Sequence, residues 1–194
     1  NLNDLAQQTH ANAKAKGFWD EPRDTGGVFM LIVSELGEVL EAHRSGKLAS
    51  LIRFESVINK YLGSGFNIDE NGIFEREFKL HIKGTFEDEM ADVVIRILDW
   101  CAYADLAIDI LEYEQFGDFE VEKDANAGEV LLEIAKCICL ASNAPGDAGQ
   151  ELHLNAALIT LFNLADAQGV DLMCHIELKM KYNATREHRQ GKKY

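Results

Sequence analysis

An all-α fold follows from three features of this 194-residue sequence. The whole chain holds only two prolines, and long stretches are free of glycine. The stretch Phe86 to Trp100 has neither Pro nor Gly, carries good helix formers early, and continues apolar through Ile108. A second stretch, Phe29 to Arg44, repeats the same periodicity.

Acids interrupt both apolar stripes. At about 100° per residue, Phe86, Val93, Trp100 and Ala107 share one side of their helix; Glu89 falls in the middle of that side, and Asp92 about 60° away. On the other helix, Val28, Leu31, Ile32, Val39 and Ala42 surround Glu35 within about 60°, and Glu38 lies three residues on. Burying an acid is costly unless its charge is compensated. If the two helices pack face to face, Glu35, Glu38, Glu89 and Asp92 converge and raise one another's pKa values unless cations hold them ionised. A divalent metal is one such cation. Glu41, Glu87, Asp88 and Asp99 read instead as ordinary solvated acids.

The length fits one domain, residues 1–194, with room for an insertion. Hydrophobic residues make up 47%, enough for a sizeable core. The net charge of −14 argues against nucleic acid or an anionic membrane as the main partner. No run of 18 apolar residues and no signal-peptide pattern occurs, so the expectation is a soluble, cytoplasmic protein. Cys101, Cys137, Cys139 and Cys174 form no Cys-x-x-Cys pair and read as buried free thiols.

The elements follow in order. Leu2 to about Ala15 is a weakly amphipathic helix, ended by Gly17, with Pro22 preventing its resumption. Phe18 and Trp19 then fall in a loop, as a ligand wall or as a cap on the core. Ser45-Gly46-Lys47 stops the first acid helix. Residues 48–62 are helical up to Gly63-Ser64-Gly65, and Ile73 to Ile82 leans to helix over strand. Thr85 caps the second acid helix, with Asp88 at its third position. That helix is expected to run to about Tyr113, followed by a polar loop over Gln115 to Gly128. Glu129 to Ser142 and Leu152 to Gln168 are helices on either side of an Ala144-Pro145-Gly146-Asp147 turn, and Asp171 caps a last helix, Leu172 to about Thr185. Lys179, Lys181, Arg186, Arg189, Lys192 and Lys193 make this end basic. Within it Lys179, Asn183 and Arg186 share one face, which suits a polyphosphate lying along the helix.

Four motifs in this order carry a family resemblance: Lys16-Gly17-Phe18-Trp19 with Glu21-Pro22-Arg23; Ser34-Glu35-Leu36-Gly37-Glu38; Phe86-Glu87-Asp88-Glu89-Met90-Ala91-Asp92; and Lys179-x-x-Tyr182-Asn183-x-x-Arg186. Together they resemble the all-α nucleoside triphosphate pyrophosphohydrolases of the MazG-like superfamily. The resemblance implies a four-helix-bundle-type core and hydrolysis of a nucleoside triphosphate to the monophosphate and pyrophosphate, as a nucleotide-pool house-cleaning step. It implies Mg²⁺, with Mn²⁺ as the alternative ion, on Glu35, Glu38, Glu89 and Asp92. Lys179, Asn183 and Arg186 would contact phosphates, and Lys16 and Trp19 would line the nucleotide site. Two departures stand out: Ser34 replaces a frequent Glu, and the 51 positions from Glu38 to Glu89 exceed the usual link, so about 47–85 reads as an insertion. The closing Arg189-Gln190-Gly191-Lys192-Lys193-Tyr194 resembles a His-Gly-Lys ending of some relatives, with Gln190 in place of His. Glu38, nearer the rim of its stripe, is the expected general base.

Two other readings compete. A ferritin-like metal bundle would need Glu-x-x-His motifs, and none occurs. A non-catalytic helical interaction protein would have no use for four intact acids. The apolar residues Val93, Val94, Ile95, Ile97, Leu98, Trp100, Cys101, Leu106 and Ile108, together with Leu154, Leu158, Ile159, Leu161, Phe162 and Leu164, point in nearly every direction. They lead to an expected homo-oligomer, a dimer at minimum and a tetramer as the larger form, as the family resemblance also implies.

Overall fold

The computed structural model describes residues 1–110 and 120–188. Eight helices and no strands occur among them: α1 (Leu2–Ala15), α2 (Thr25–Arg44), α3 (Leu51–Gly63), α4 (Ile73–His81), α5 (Phe86–Tyr103), α6 (Ala127–Asn143), α7 (Asp147–Ala167) and α8 (Leu172–Thr185). None is long and apolar enough to cross a membrane.

The caps expected at Thr85 and Asp171 form: Thr85 Oγ1 accepts from the Asp88 amide, and Asp171 from that of Cys174. α2 begins at Thr25, earlier than Phe29, because the Asp24 carboxylate accepts from the Gly27 amide and offsets the poor helix propensity of Gly26 and Gly27. α3 begins at Leu51 rather than at residue 48. α7 begins at Asp147 rather than at Leu152, directly after the Pro145-Gly146 turn.

The largest correction concerns α5, which ends at Tyr103 and not near Tyr113. Asp105 takes a left-handed conformation (φ 55°), and residues 106–109 form no regular secondary structure. Side-chain amides replace the helical hydrogen bonds there. Asn3 both accepts from and donates to Ile108, while Asn155 donates to the Ala107 carbonyl and accepts from the Asp109 amide. Leu106 and Ile108 are nevertheless buried, which is why the apolar run reads as unbroken in sequence. The rest of that stretch, much of the 115–128 loop, and Arg189, Gln190, Gly191, Lys192, Lys193 and Tyr194 lie wholly or partly outside the described residues.

α5 is central. It packs against α1, α2, α7 and α8, while α6 and α7 form a hairpin whose first helix leans on α2. Val93, Val94, Ile97, Leu98, Trp100 and Cys101, with Leu154, Leu158, Ile159, Leu161 and Leu164, are buried within this one chain. Ile95 and Phe162 are partly buried, so most of the apolar surface that pointed to a second copy is covered within the chain, and the family resemblance is what remains for an assembly. The 47–85 segment packs apart from these helices. Its helices α3 and α4 build a small core of their own, in which Phe54, Phe74, Phe78 and Ile82 meet Tyr182 of α8. The cysteines are unpaired, but only Cys101 is buried; Cys137 and Cys174 are half-buried and Cys139 is exposed.

Candidate functional site

α2 and α5 run antiparallel. Phe29 meets Trp100 at one end (ring centroids 5.3 Å apart), and His43 meets Phe86 at the other (5.2 Å). That register brings the two acid pairs level. Carboxylate oxygens of Glu35, Glu38 and Glu89 lie within 4.8 Å of one another. They open into a cavity of about 250 Å³ enclosed by α1, α2, α5, α8 and the loops beside them. Asp88, Asp92, Arg96 and Asp99 all line it from α5. Their spacing means the cavity follows about 16 Å of that helix at a rise of about 1.5 Å per residue.

Asp92 stands beside the three glutamates but is engaged elsewhere. Its Oδ2 is 2.6 Å from Lys179 Nζ, which is also 2.8 Å from Asp88 Oδ2. Asp88 further accepts from the Gly84 amide. Asp88 and Lys179 are almost wholly buried (0% and 3% exposed), while Asp92 remains partly exposed on the cavity side. Burial alone would pull Lys179 down, but the Asp92 and Asp88 carboxylates outweigh it and hold the ammonium above its ordinary range. Burial raises Asp88, with Lys179 opposing.

The glutamates are less well balanced. Glu35 pairs with Arg96 across the helix interface, yet burial still raises its pKa against that cation. No described cation pairs with Glu38 or Glu89. Burial, and then the charge of Asp92, push Glu89 up to about 7. Three hard oxygen donors with only one cation among them, open to a cavity, fit Mg²⁺ or Mn²⁺. No histidine belongs to this cluster, so among the described residues the ferritin-like pattern finds no counterpart.

Among the expected nucleotide contacts, Lys16, Lys179, Asn183 and Arg186 all line the cavity. Lys16 donates to the Arg186 carbonyl (2.6 Å), and Asn183 Oδ1 is buried without a hydrogen-bond partner. Trp19 does not line it. Its ring stacks on Tyr103 (4.1 Å) and its indole N–H donates to Asp99 (3.0 Å), so it backs the wall, while the neighbouring Phe18 faces the cavity.

Three acids read as solvated are not. Glu87 is buried and caps the Ala49 amide, Asp88 belongs to the triad, and Asp99 holds His10 Nδ1 at 2.7 Å. Only Glu41 is exposed, against Arg44. The structure adds Lys83, Arg23 and Arg96 to the cavity. Arg96 had a signal, a lone cation inside the apolar run Val93 to Leu98, four residues after Asp92. Lys83 had none. Comparison of the chain with family models, with curated proteins and with solved structures finds no match.

Proposed function

We propose that this protein is a Mg²⁺-dependent nucleoside triphosphate pyrophosphohydrolase. The observation that carries the reading is the convergence of Glu35, Glu38 and Glu89 in a cavity whose walls also hold Lys16, Lys179, Asn183 and Arg186. Phosphoanhydride hydrolysis asks a protein for charge neutralisation and a positioned water rather than for a covalent nucleophile. Such a surround of acids flanked by cations is suited to that task.

Glu35, Glu38 and Glu89 would hold the metal, with Asp92 one turn along α5 as the fourth ligand once Lys179 shifts its bond towards Asp88. Bound there, Mg²⁺ would neutralise phosphate charge and acidify a water. Glu38, exposed at the rim, is positioned to take a proton from a water in the cavity. Lys179 and Arg186 offer positive charge to phosphate oxygens, and the Asn183 amide adds a neutral donor. Arg96 fixes the Glu35 carboxylate so that it presents one orientation to the cavity. The protein would assemble as a homodimer or a pair of dimers, on the resemblance, which light scattering measures directly.

Pyrophosphate release across a panel of ribo- and deoxynucleoside triphosphates with Mg²⁺ tests the reading. Turnover of at least one, abolished in Glu35→Gln and in Glu89→Gln, is the expected result. No release from any nucleotide, or release that survives both substitutions, would favour a non-catalytic helical interaction protein.

A further inference from the structure

The 47–85 segment does more than extend the fold. It sets the backbone of Lys83 at the cavity mouth: Phe78 stacks on Tyr182 (4.4 Å), Ile82 is buried, and the Lys83 amide donates to the Phe78 carbonyl (2.9 Å). Gly84, at φ 76°, then turns the chain into α5. Lys83 Nζ lies 6.0 Å from the Tyr182 ring centroid, and Arg186 Cζ lies 5.7 Å from the same centroid. Both line the cavity. Neighbouring lysines are spoken for, Lys79 by Glu75 and Lys181 by Asp69, but neither Lys83 nor Arg186 pairs with a carboxylate among the described residues. Two uncompensated cations against one ring, in a chain of net charge −14, make a local anion seat.

Its position gives it a direction. Lys83 lies before the first turn of α5, the glutamate cluster is level with Glu89, and Asp99, backed by Trp19 and His10, closes the other end. The cluster therefore sits between the cation pair and Asp99. Resting on the pyrophosphohydrolase reading above, we propose that Lys83 and Arg186 clamp the two outer phosphates, the ones that leave together, and that the nucleoside extends towards Phe18 and Asp99. A diphosphate leaves part of this clamp unfilled, so the seat selects triphosphates.

The probe is inorganic tripolyphosphate, titrated by calorimetry into the full chain with Mg²⁺ present. Lys83→Met and Arg186→Met should each weaken its binding about tenfold and reduce its dependence on salt. Lys79→Met, which removes a nearby cation already paired with Glu75, should leave binding unchanged. Circular dichroism checks that each variant is folded. In steady state, Lys83→Met should raise KM for the triphosphate without altering inhibition by the monophosphate product. Unchanged tripolyphosphate affinity in Lys83→Met overturns the clamp even if pyrophosphate is released. Affinity that falls equally in Lys79→Met overturns it too, since a diffuse field then suffices. Weakened binding in a protein that releases no pyrophosphate upholds the seat and defeats only the enzymatic reading.

Discussion

Lys179 with Asp88 and Asp92, and Glu35 with Glu38 and Glu89, line one cavity, yet their charges are balanced differently. In the first group one buried ammonium bridges two carboxylates at 2.8 and 2.6 Å, and a backbone amide serves Asp88 as well. In the second, three carboxylates meet and only Glu35 has a cation, Arg96. The buried Lys179–Asp88 pair is a fastening: it is costly to break and holds α5 to α8. The glutamate cluster keeps a repulsion that Arg96 relieves only in part, which suits it to the cation-receiving role proposed above.

The largest effect is expected at Lys179. Replacing it with Met leaves Asp88 buried with no cation beside it, and removing one partner of such a pair costs about 3–5 kcal/mol. Urea titration should show that loss. Adding Asp88→Leu to Lys179→Met should recover most of it, since a buried ion pair and an apolar pair of similar volume are close in stability. A single substitution costing under about 1 kcal/mol would place the triad among ordinary surface pairs.

Metal addition is the next largest effect and acts at the glutamate cluster, with Asp92 shared between the two groups. A ligand that binds only the folded state at a hundredfold excess over its Kd stabilises by about 2.7 kcal/mol, or roughly 5–10 °C in Tm for a chain of this size. Mg²⁺ should raise Tm by that order and a chelator should reverse it. Glu89→Gln should blunt the response, while Glu87→Gln, whose carboxylate caps the Ala49 amide outside the cavity, should keep it.

The pH profile of the metal-free protein sharpens the contrast further. Glu89 has its pKa raised from an ordinary 4.5 to about 7, so between those values the folded chain holds a proton that the unfolded chain has released. Stability contributed by that proton is present below about 4.5 and is lost as pH rises through about 7. Metal-free Tm should therefore decline across this window, and Glu89→Gln should flatten the decline. At pH 8 the metal-free variant should melt above the wild type. A wild-type profile that is flat from 4.5 to 7 would mean that Glu89 is solvated like an ordinary surface acid.

These two groupings also mark how far the sequence could be read. The helical period placed Glu35 and Glu89 in the middle of stripes that had to be buried, with Glu38 at the rim, and an acid in the middle of such a stripe is a local signal. Asp88 carried no such signal. It sits beside Glu87 in a run of acids, and only the partner on α8, 91 residues away, makes its burial tolerable. Lys83 was illegible for the same reason: its place depends on how Phe78 stacks on Tyr182, a contact between segments far apart in the chain. The end of α5 failed differently. Leu106 and Ile108 keep the apolar content of a helix, and the interruption at Asp105 is sustained by Asn3 and Asn155, whose side chains take over backbone partners that no local pattern announces.

The smallest expected effect lies at the boundary between the two groupings. Arg96 follows Asp92 by one helical turn and is the only described cation paired with the glutamate cluster. Its side chain is 30% exposed, so water screens part of its bond to Glu35, and Arg96→Gln should cost only about 1 kcal/mol, a few degrees of metal-free Tm. The sign of the metal response carries more information than that cost. If the cluster is a receptor, removing its one resident cation deepens the repulsion that metal relieves, so the Mg²⁺-induced rise in Tm should be larger in Arg96→Gln than in the wild type. If Arg96 instead completes a fastening like that of Lys179, the variant should lose stability that Mg²⁺ does not restore, and the two metal responses should match. Thermal melts of both proteins, with Mg²⁺ and with chelator, separate these outcomes.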